Sequence, residues 1–96
     1  MYKPLPKTLT VRDSNIHGLG LFATEKIAIN TDLGISHVLN QDYQNNYIRT
    51  PLGGFINHSD SPNVELIDMG HTMRVLTIKT IETGEELKLK YHLYTL

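Results

Sequence analysis

The chain has 96 residues, of which 40% are hydrophobic and 20% charged, and it carries a formal net charge of −1 and no cysteine. This length predicts a single domain, residues 1–96, near the lower limit at which packing alone stabilises a fold, and the missing cysteines exclude disulfides and thiolate metal clusters. The near-zero charge disfavours a nucleic-acid partner. The sequence has neither a stretch of roughly 18 apolar residues nor an apolar segment at its start, so we expect a soluble, intracellular protein that does not bind membranes.

The N-terminal half is predicted to form short strands separated by turns. Residues 1–8 are expected to be an extended arm, because Pro4 and Pro6 lack the backbone N–H groups that a central strand needs. The β-prone segments that follow are 9–11, 21–23 and 33–39, with a brief extension at 47–50. Two glycines precede the second of these segments, and a stretch rich in proline and glycine is predicted to end the last one.

The C-terminal half has a clearer pattern. Val64–Ile67 and Thr72–Ile78 are two β-prone runs whose connection contains Gly70, which predicts a hairpin. Glu85–Tyr91 is predicted to be a final strand with its leucines and Tyr91 on one face. Because no segment keeps a helical period over roughly 10 to 12 residues, we expect a mainly β domain of several small sheets.

The most polar and turn-rich stretch, here named the central loop, is Phe55–Asn63. It reads F-I-N-H-S-D-S-P-N. We predict that it is not a strand, because short polar side chains and a proline favour turns. Its amide, hydroxyl and imidazole groups supply donors, acceptors and one titratable ring. On composition alone, a turn that satisfies its own hydrogen bonds is a better interpretation than a binding loop.

Three stretches in a fixed order carry a resemblance to a known family. They are G-L-G-L-F-A at 18–23, N-H-S-D-S-P-N at 57–63 within the central loop, and G-E-E-L-K-L-K-Y at 84–91. Together they resemble the signature of the SET-domain family of protein lysine methyltransferases. The core motifs span residues 18–91, about three quarters of the chain, and their common order makes coincidence a poor explanation.

The resemblance implies a fold and a reaction. The fold is a SET-domain, β-clip-like arrangement of small β-sheets, in which the C-terminal strand passes under a loop and forms a pseudoknot-like crossing. The reaction is S-adenosylmethionine-dependent methyl transfer to the side-chain amine of lysine in a protein substrate, with S-adenosylhomocysteine as product. The cysteine-rich, zinc-binding flanks of many members are missing, and the five histidines show no short metal-ligand spacing, so we expect no metal.

The motifs also imply site residues. By position, the cofactor-binding residues are His17, Gly18, Leu19, Gly20, Asn57 and His58. Glycines let main-chain groups approach a polar ligand closely, and an asparagine amide both donates and accepts hydrogen bonds. Tyr91 matches the family's catalytic tyrosine, whose hydroxyl is expected to orient a neutral lysine amine. The residues expected to line the substrate channel are His37, Tyr47, Phe55 and Tyr94.

The sequence departs from the family pattern at several positions. The tyrosine of a Y-x-G element near the methyl-transfer site is missing from residues 33–37. Either Ser36 or His37 takes its place or the site is altered, which affects product specificity and activity. Gly54 stands where the family usually has an arginine, and Lys90 stands where it has an acidic residue.

Because few residues follow Tyr91, we expect a further contributor to the wall of the lysine channel. Three contributors are open: the aromatic side chain of Tyr94, the loop around Tyr43 and Tyr47, and a second copy of the chain. A homodimer is therefore one expectation.

Two other functions stay open. A non-catalytic SET-like module that binds the cofactor or a lysine-bearing peptide is favoured by the missing tyrosine. An assembly protein that uses only the β scaffold is disfavoured by the ordered motifs. Without the resemblance, Gly18 and Gly20 would be read as turn glycines. Glu82, Glu85 and Glu86 are expected to form a solvated turn, in which one carboxylate can bond the backbone near the central loop.

Overall fold

The computed structural model describes residues 5–39 and 47–90. Within this part the chain forms short strands and one four-residue helix, arranged as three small sheets. The elements are β1 (Leu9–Asp13), β2 (Leu19–Ala23), β3 (Asp32–Leu39), β4 (Tyr47–Arg49), α1 (Pro51–Gly54), β5 (Asn57–His58), β6 (Val64–Asp68), β7 (Thr72–Thr77) and β8 (Lys88–Leu89). The predicted mainly β fold is therefore confirmed. No helix among these residues is long and apolar enough to cross a membrane.

The largest sheet contains four antiparallel strands in the order β4-β3-β7-β6. β6 and β7 form the predicted hairpin, and Gly70 in its connection has a φ of +94°, which favours glycine. β7 also pairs with β3, where the register shifts next to Gly34. β1 and β2 form a separate antiparallel ribbon, so the strand predicted after Gly20 is present.

The third sheet is a parallel pair of two-residue strands, with Asn57 opposite Lys88 and His58 opposite Leu89. The prediction that the central loop contains no strand is wrong at these two positions. The two strands are paired by backbone groups alone. The Asn57 side chain is half-buried and the His58 side chain is exposed, so their polarity does not oppose strand formation.

β8 is shorter than the predicted strand Glu85–Tyr91, because the chain changes partners along residues 85–90, here named the C-terminal segment. Glu86 lies opposite Phe22 of β2 in an isolated bridge, and only Lys88 and Leu89 pair with β5. The predicted alternation is confirmed for the described residues: Leu87 and Leu89 are buried, while Lys90 is exposed.

The middle of the central loop and its last residue lie on opposite sides of β8. On one side the Ser59 N–H donates to the Leu89 carbonyl at 3.0 Å. On the other side the Asn63 N–H donates to the Lys88 carbonyl at 3.0 Å. The Asn63 side chain also accepts from the Lys88 N–H at 2.7 Å and donates to the Glu86 carbonyl at 2.8 Å. The C-terminal segment therefore passes under the loop, as the pseudoknot-like crossing requires.

One hydrophobic core joins the three sheets and α1. Its members are aliphatic side chains that are at most 6% exposed: Leu9, Leu21, Ala23, Ile27, Leu33, Leu52, Ile56, Val64, Val75, Ile81, Leu87 and Leu89. Asn63 is a polar residue that is as buried as these, with 2% exposure. Its burial is possible because both ends of its amide are hydrogen-bonded.

α1 is an element that the sequence did not predict, since Pro51–Gly54 reads as a break. The helix forms because the Thr50 hydroxyl caps it, accepting from the Gly53 N–H at 3.3 Å, and because Pro51 lies in the first turn, where no N–H is needed. Thr50 also donates to the Ile35 carbonyl at 2.6 Å, which fixes α1 on β3.

Gly53 lies directly against the backbone of β3. A Cβ at this position would overlap the Ser36 carbonyl, whose carbon is 3.0 Å from the ideal Cβ position. A Cβ at the neighbouring Gly54 meets nothing within 4 Å. Only the first of these two glycines is therefore needed for close backbone approach.

We expect Gly53→Ala to lower the free energy of unfolding by about 2 kcal/mol, because the added methyl group must push α1 away from β3. Gly54→Ala is the matched control, and it should stabilise the protein by at most about 1 kcal/mol through helix propensity. Urea unfolding followed by circular dichroism measures both free energies. Equal effects of the two substitutions would contradict the close approach at Gly53.

Asn63→Ala should lower the free energy of unfolding by about 2 to 4 kcal/mol, because it removes a buried side chain that bonds the Glu86 carbonyl and the Lys88 N–H and leaves both without their partner. Ser61→Ala, in an exposed part of the same loop, is the control and should stay within about 0.5 kcal/mol of the wild type. The same urea titration tests this pair. A stable Asn63→Ala protein would show that the crossing is held by other contacts.

Candidate functional site

The glycine loop, residues His17–Gly20, follows a tight turn after β1. The Ser14 N–H donates to the Gly18 carbonyl at 2.8 Å, and the Ser14 hydroxyl accepts from the Ile16 N–H at 2.9 Å and the His17 N–H at 3.4 Å. Gly18 has a φ of +46°, and nothing lies within 4 Å of a Cβ placed there. Its backbone conformation is therefore the reason for glycine at this position.

Asn57 brings the central loop and the glycine loop together. Its side-chain nitrogen donates toward the carbonyl oxygens of His17 and Leu19, each at 3.1 Å. The same nitrogen lies 2.8 Å from a carboxylate oxygen of Glu86. This arrangement, here named the Asn57 cluster, joins all three sequence motifs at one point.

Glu86 is not among the predicted site residues, and the expectation of a solvated turn is wrong for it. Its carboxylate accepts from the Ser14 hydroxyl at 2.8 and 2.9 Å as well as from Asn57. The bridge to Phe22 places it over β2. No local signal marks Glu86, because its side-chain partners lie 72 and 29 residues away in the sequence.

Gly20 makes room for the Glu86 carboxylate. A Cβ at Gly20 would overlap that group, with the carboxylate carbon at 2.9 Å and the Asn57 side-chain nitrogen at 3.1 Å. Gly20 has no positive φ, so the interpretation as a turn glycine does not describe it. Glycine is therefore needed at Gly18 for its backbone conformation and at Gly20 for the space that a Cβ would fill.

The predicted histidines of the site contribute differently. His17 takes part in the Asn57 cluster through its carbonyl, and its side chain is exposed. The His58 side chain is 50% exposed, and its Nε2 lies 3.6 Å from the Asp60 carboxylate. The Leu19 side chain is 47% exposed. Backbone atoms of the glycine loop, not its side chains, therefore make the contacts with Asn57.

His37 lies inside the four-stranded sheet. It is 2% exposed, and its Nδ1 is 2.8 Å from the Ser36 hydroxyl, which also donates to the Met73 carbonyl at 3.2 Å. Burial, and then the positive charge of Arg49, lowers the pKa of His37 below its usual range, which favours the neutral ring near pH 7. The two residues expected to replace the missing tyrosine are thus buried and hydrogen-bonded to each other.

The other predicted residues are only partly described. Phe55 follows α1 and packs, half-buried, against the core. Tyr47 begins β4, but its side chain lies outside the described part of the structure. Tyr91 and Tyr94 lie outside the described residues altogether. Their roles stay predictions.

The Asn57 cluster contains more acceptors than its amide nitrogen can serve. That nitrogen carries two N–H groups, whereas three oxygen atoms, from His17, Leu19 and Glu86, surround it. An ammonium group has three donors and a positive charge, and it therefore fits such a set better than an amide. Among residues 5–39 and 47–90, no group of three or more His, Cys, Asp or Glu side chains is placed to hold a metal ion.

The comparisons with known proteins agree with this architecture. The family model of the SET domain matches residues 36–92, more than half of the chain. No curated protein sequence matches the chain. Among solved structures, a Plasmodium falciparum protein assigned as a histone methyltransferase has a TM-score of 0.72 and 23% identity, over 91% of this chain and 95% of that chain.

Two further solved structures share the fold. A humanized mutant of the Chaetomium thermophilum Polycomb Repressive Complex 2 has a TM-score of 0.70 and 21% identity, over 90% of this chain and only 15% of that chain. The methyltransferase domain of human PR domain-containing protein 2 has a TM-score of 0.69 and 16% identity, over 88% and 77%. The family match and the shared fold lead to one conclusion: the chain belongs to the SET-domain family.

Proposed function

We propose that the chain is a protein-lysine N-methyltransferase that uses S-adenosylmethionine. Membership of the SET-domain family supports methyl transfer as the reaction class. The observation that carries the proposal is the Asn57 cluster, in which three oxygen atoms converge on one nitrogen. Such a set of acceptors suits the amino group at the amino-acid end of the cofactor.

The chain's own residues would hold the cofactor at its polar end. The carbonyl oxygens of His17 and Leu19 can accept from an ammonium group, and the Asn57 amide can accept at its oxygen while its nitrogen keeps donating to Glu86. The free space beside Gly18 leaves the backbone of the glycine loop approachable. When bound, S-adenosylmethionine supplies an electrophilic methyl group on a sulfonium.

The nucleophile of the proposed reaction is a lysine amine, which has to be neutral. Because the solution pKa of lysine is about 10.4, the ammonium must first lose a proton to water, and an apolar channel favours that loss. We propose Tyr91 as the catalytic residue, because it matches the tyrosine that ends the family's G-E-E-L run and because β8, which ends two residues before it, pairs with Asn57. Its hydroxyl would accept a hydrogen bond from the amine and so orient the nitrogen lone pair.

The proposed substrate is a protein that presents a lysine side chain. The residues proposed to line its channel remain His37, Tyr47, Phe55 and Tyr94. A second copy of the chain remains one proposed contributor to that channel.

A second candidate function is a non-catalytic module that binds the cofactor or a lysine-bearing peptide. The observation that favours it is the state of Ser36 and His37. Both are buried and bonded to each other, and the Ser36 hydroxyl also donates to the Met73 carbonyl. These side chains already have partners, unlike a tyrosine hydroxyl that is available to a substrate.

We expect calorimetry to detect binding of S-adenosylmethionine, and mass spectrometry to detect methyllysine after incubation with a lysine-rich protein mixture such as a cell extract. Tyr91→Phe should keep the cofactor affinity and lower turnover by about tenfold or more, or change the number of methyl groups added. Binding without methyl transfer would favour the non-catalytic module. No heat and no thermal shift would favour a structural role, and wild-type kinetics and products in Tyr91→Phe would remove Tyr91 from the mechanism.

Size-exclusion chromatography with light scattering tests the homodimer. We expect a mass of about twice the 10.9 kDa of the chain, falling toward the monomer mass on dilution. A monomer at the protein concentration of the activity assay would contradict the second-copy proposal, and the channel would then have to be completed by residues of the same chain.

A further inference from the structure

The carboxylate of Glu86 contacts both loops of the proposed cofactor site. It accepts from the Asn57 amide at 2.8 Å and from the Ser14 hydroxyl at 2.8 and 2.9 Å. Ser14 closes the turn before the glycine loop through its contacts with the N–H groups of Ile16 and His17. One side chain from the C-terminal segment therefore restrains the glycine loop at its beginning and, through Asn57, at its end.

The position of Glu86 is itself fixed by the fold. Its carbonyl accepts from Asn63 at 2.8 Å, and it lies opposite Phe22 in the bridge to β2. The next residue, Leu87, is fully buried, and its N–H donates to the Leu21 carbonyl at 2.8 Å. A charged acceptor on such a rigid segment can orient donor groups without reorganising itself.

This carboxylate makes no ion pair with a side chain in the part of the chain that the structure describes. Its donors there, Ser14 and Asn57, are both neutral. The ion pairs found in the same residues involve Asp60 and Asp32 instead. A half-buried carboxylate with neutral partners favours a positively charged ligand nearby.

We propose that Glu86 is a positioning residue of the cofactor site. Acting through Asn57 and Ser14, it sets the direction of the His17 and Leu19 carbonyl oxygens, and its charge favours the ammonium group that those oxygens would bind. The role toward the ammonium group rests on the proposed function. The ordering of the glycine loop is a property of the ligand-free protein and can be tested separately.

Glu86→Gln should raise the Kd of S-adenosylhomocysteine about tenfold, because a charged acceptor is replaced by a neutral group of the same shape. An analogue of S-adenosylhomocysteine without the amino group should bind the wild type and the variant with the same Kd. A substitution that only loosened the fold would weaken both ligands alike. Isothermal titration calorimetry gives the four constants.

Two further variants sharpen this comparison. Glu82→Gln removes the same charge from an exposed side chain four residues earlier in the chain, and it should leave both affinities unchanged. Ser14→Ala removes the hydroxyl contacts to Glu86, Ile16 and His17 but keeps the charge of Glu86, so it should raise the Kd of S-adenosylhomocysteine less than Glu86→Gln does. Because it keeps the charge of Glu86, Ser14→Ala also serves if Glu86→Gln folds poorly.

Hydrogen exchange followed by NMR tests the positioning role without any ligand. In Glu86→Gln, the side-chain amide of Asn57 and the backbone amides of Ile16 and His17 should exchange faster than in the wild type. Unchanged exchange in this variant, or an unchanged Kd for S-adenosylhomocysteine, would overturn the role of Glu86. A wild-type protein that binds no cofactor would instead overturn the proposed function, while the exchange measurement would still decide whether Glu86 orders the loop.

Discussion

The hydrogen bonds between Asn63 and the C-terminal segment are the interaction on which the rest of the structure depends. One asparagine side chain accepts from the Lys88 N–H and donates to the Glu86 carbonyl, while its own N–H donates to the Lys88 carbonyl. Asn63 is shielded from water, so leaving its amide unpaired would be unfavourable. The segment consequently has one position under the central loop, and the burial of Leu87 and Leu89 follows from it.

The candidate site depends on that same position. Because the Glu86 backbone is held on one side by Asn63, its carboxylate points to the other motifs, where Ser14 and Asn57 donate to it. The glycine loop then contributes carbonyl oxygens rather than side chains. Gly20 leaves the space that the Glu86 carboxylate occupies, since any larger residue would displace the carboxylate. Glu86 thus makes a structural contact through its backbone carbonyl and the contacts of the candidate site through its carboxylate.

Local patterns predict much of the fold and less of the site. The β6–β7 hairpin and the alternation of Leu87 and Leu89 depend on neighbouring residues, so the sequence shows them. α1 and β5 are missed because a Pro-Gly-Gly stretch reads as a break and a two-residue parallel strand has no pattern of its own. The resemblance carried by the three motifs predicts Asn57 and the glycine loop as parts of one site. Glu86 is missed because a glutamate in a turn looks the same whether it is solvated or bonded to a residue 72 positions away.

The crossing under the central loop also governs how the chain can fold. The contact between Ser14 and Glu86 spans 72 residues, and the entropy of closing so long a loop is lost before the contact forms. The glycine loop, Asn57 and Glu86 meet only once the C-terminal segment is threaded. A partly folded chain therefore has no complete site, and binding is thermodynamically linked to threading. A cation that binds the Asn57 cluster would stabilise the threaded state over every state in which the segment has slipped out.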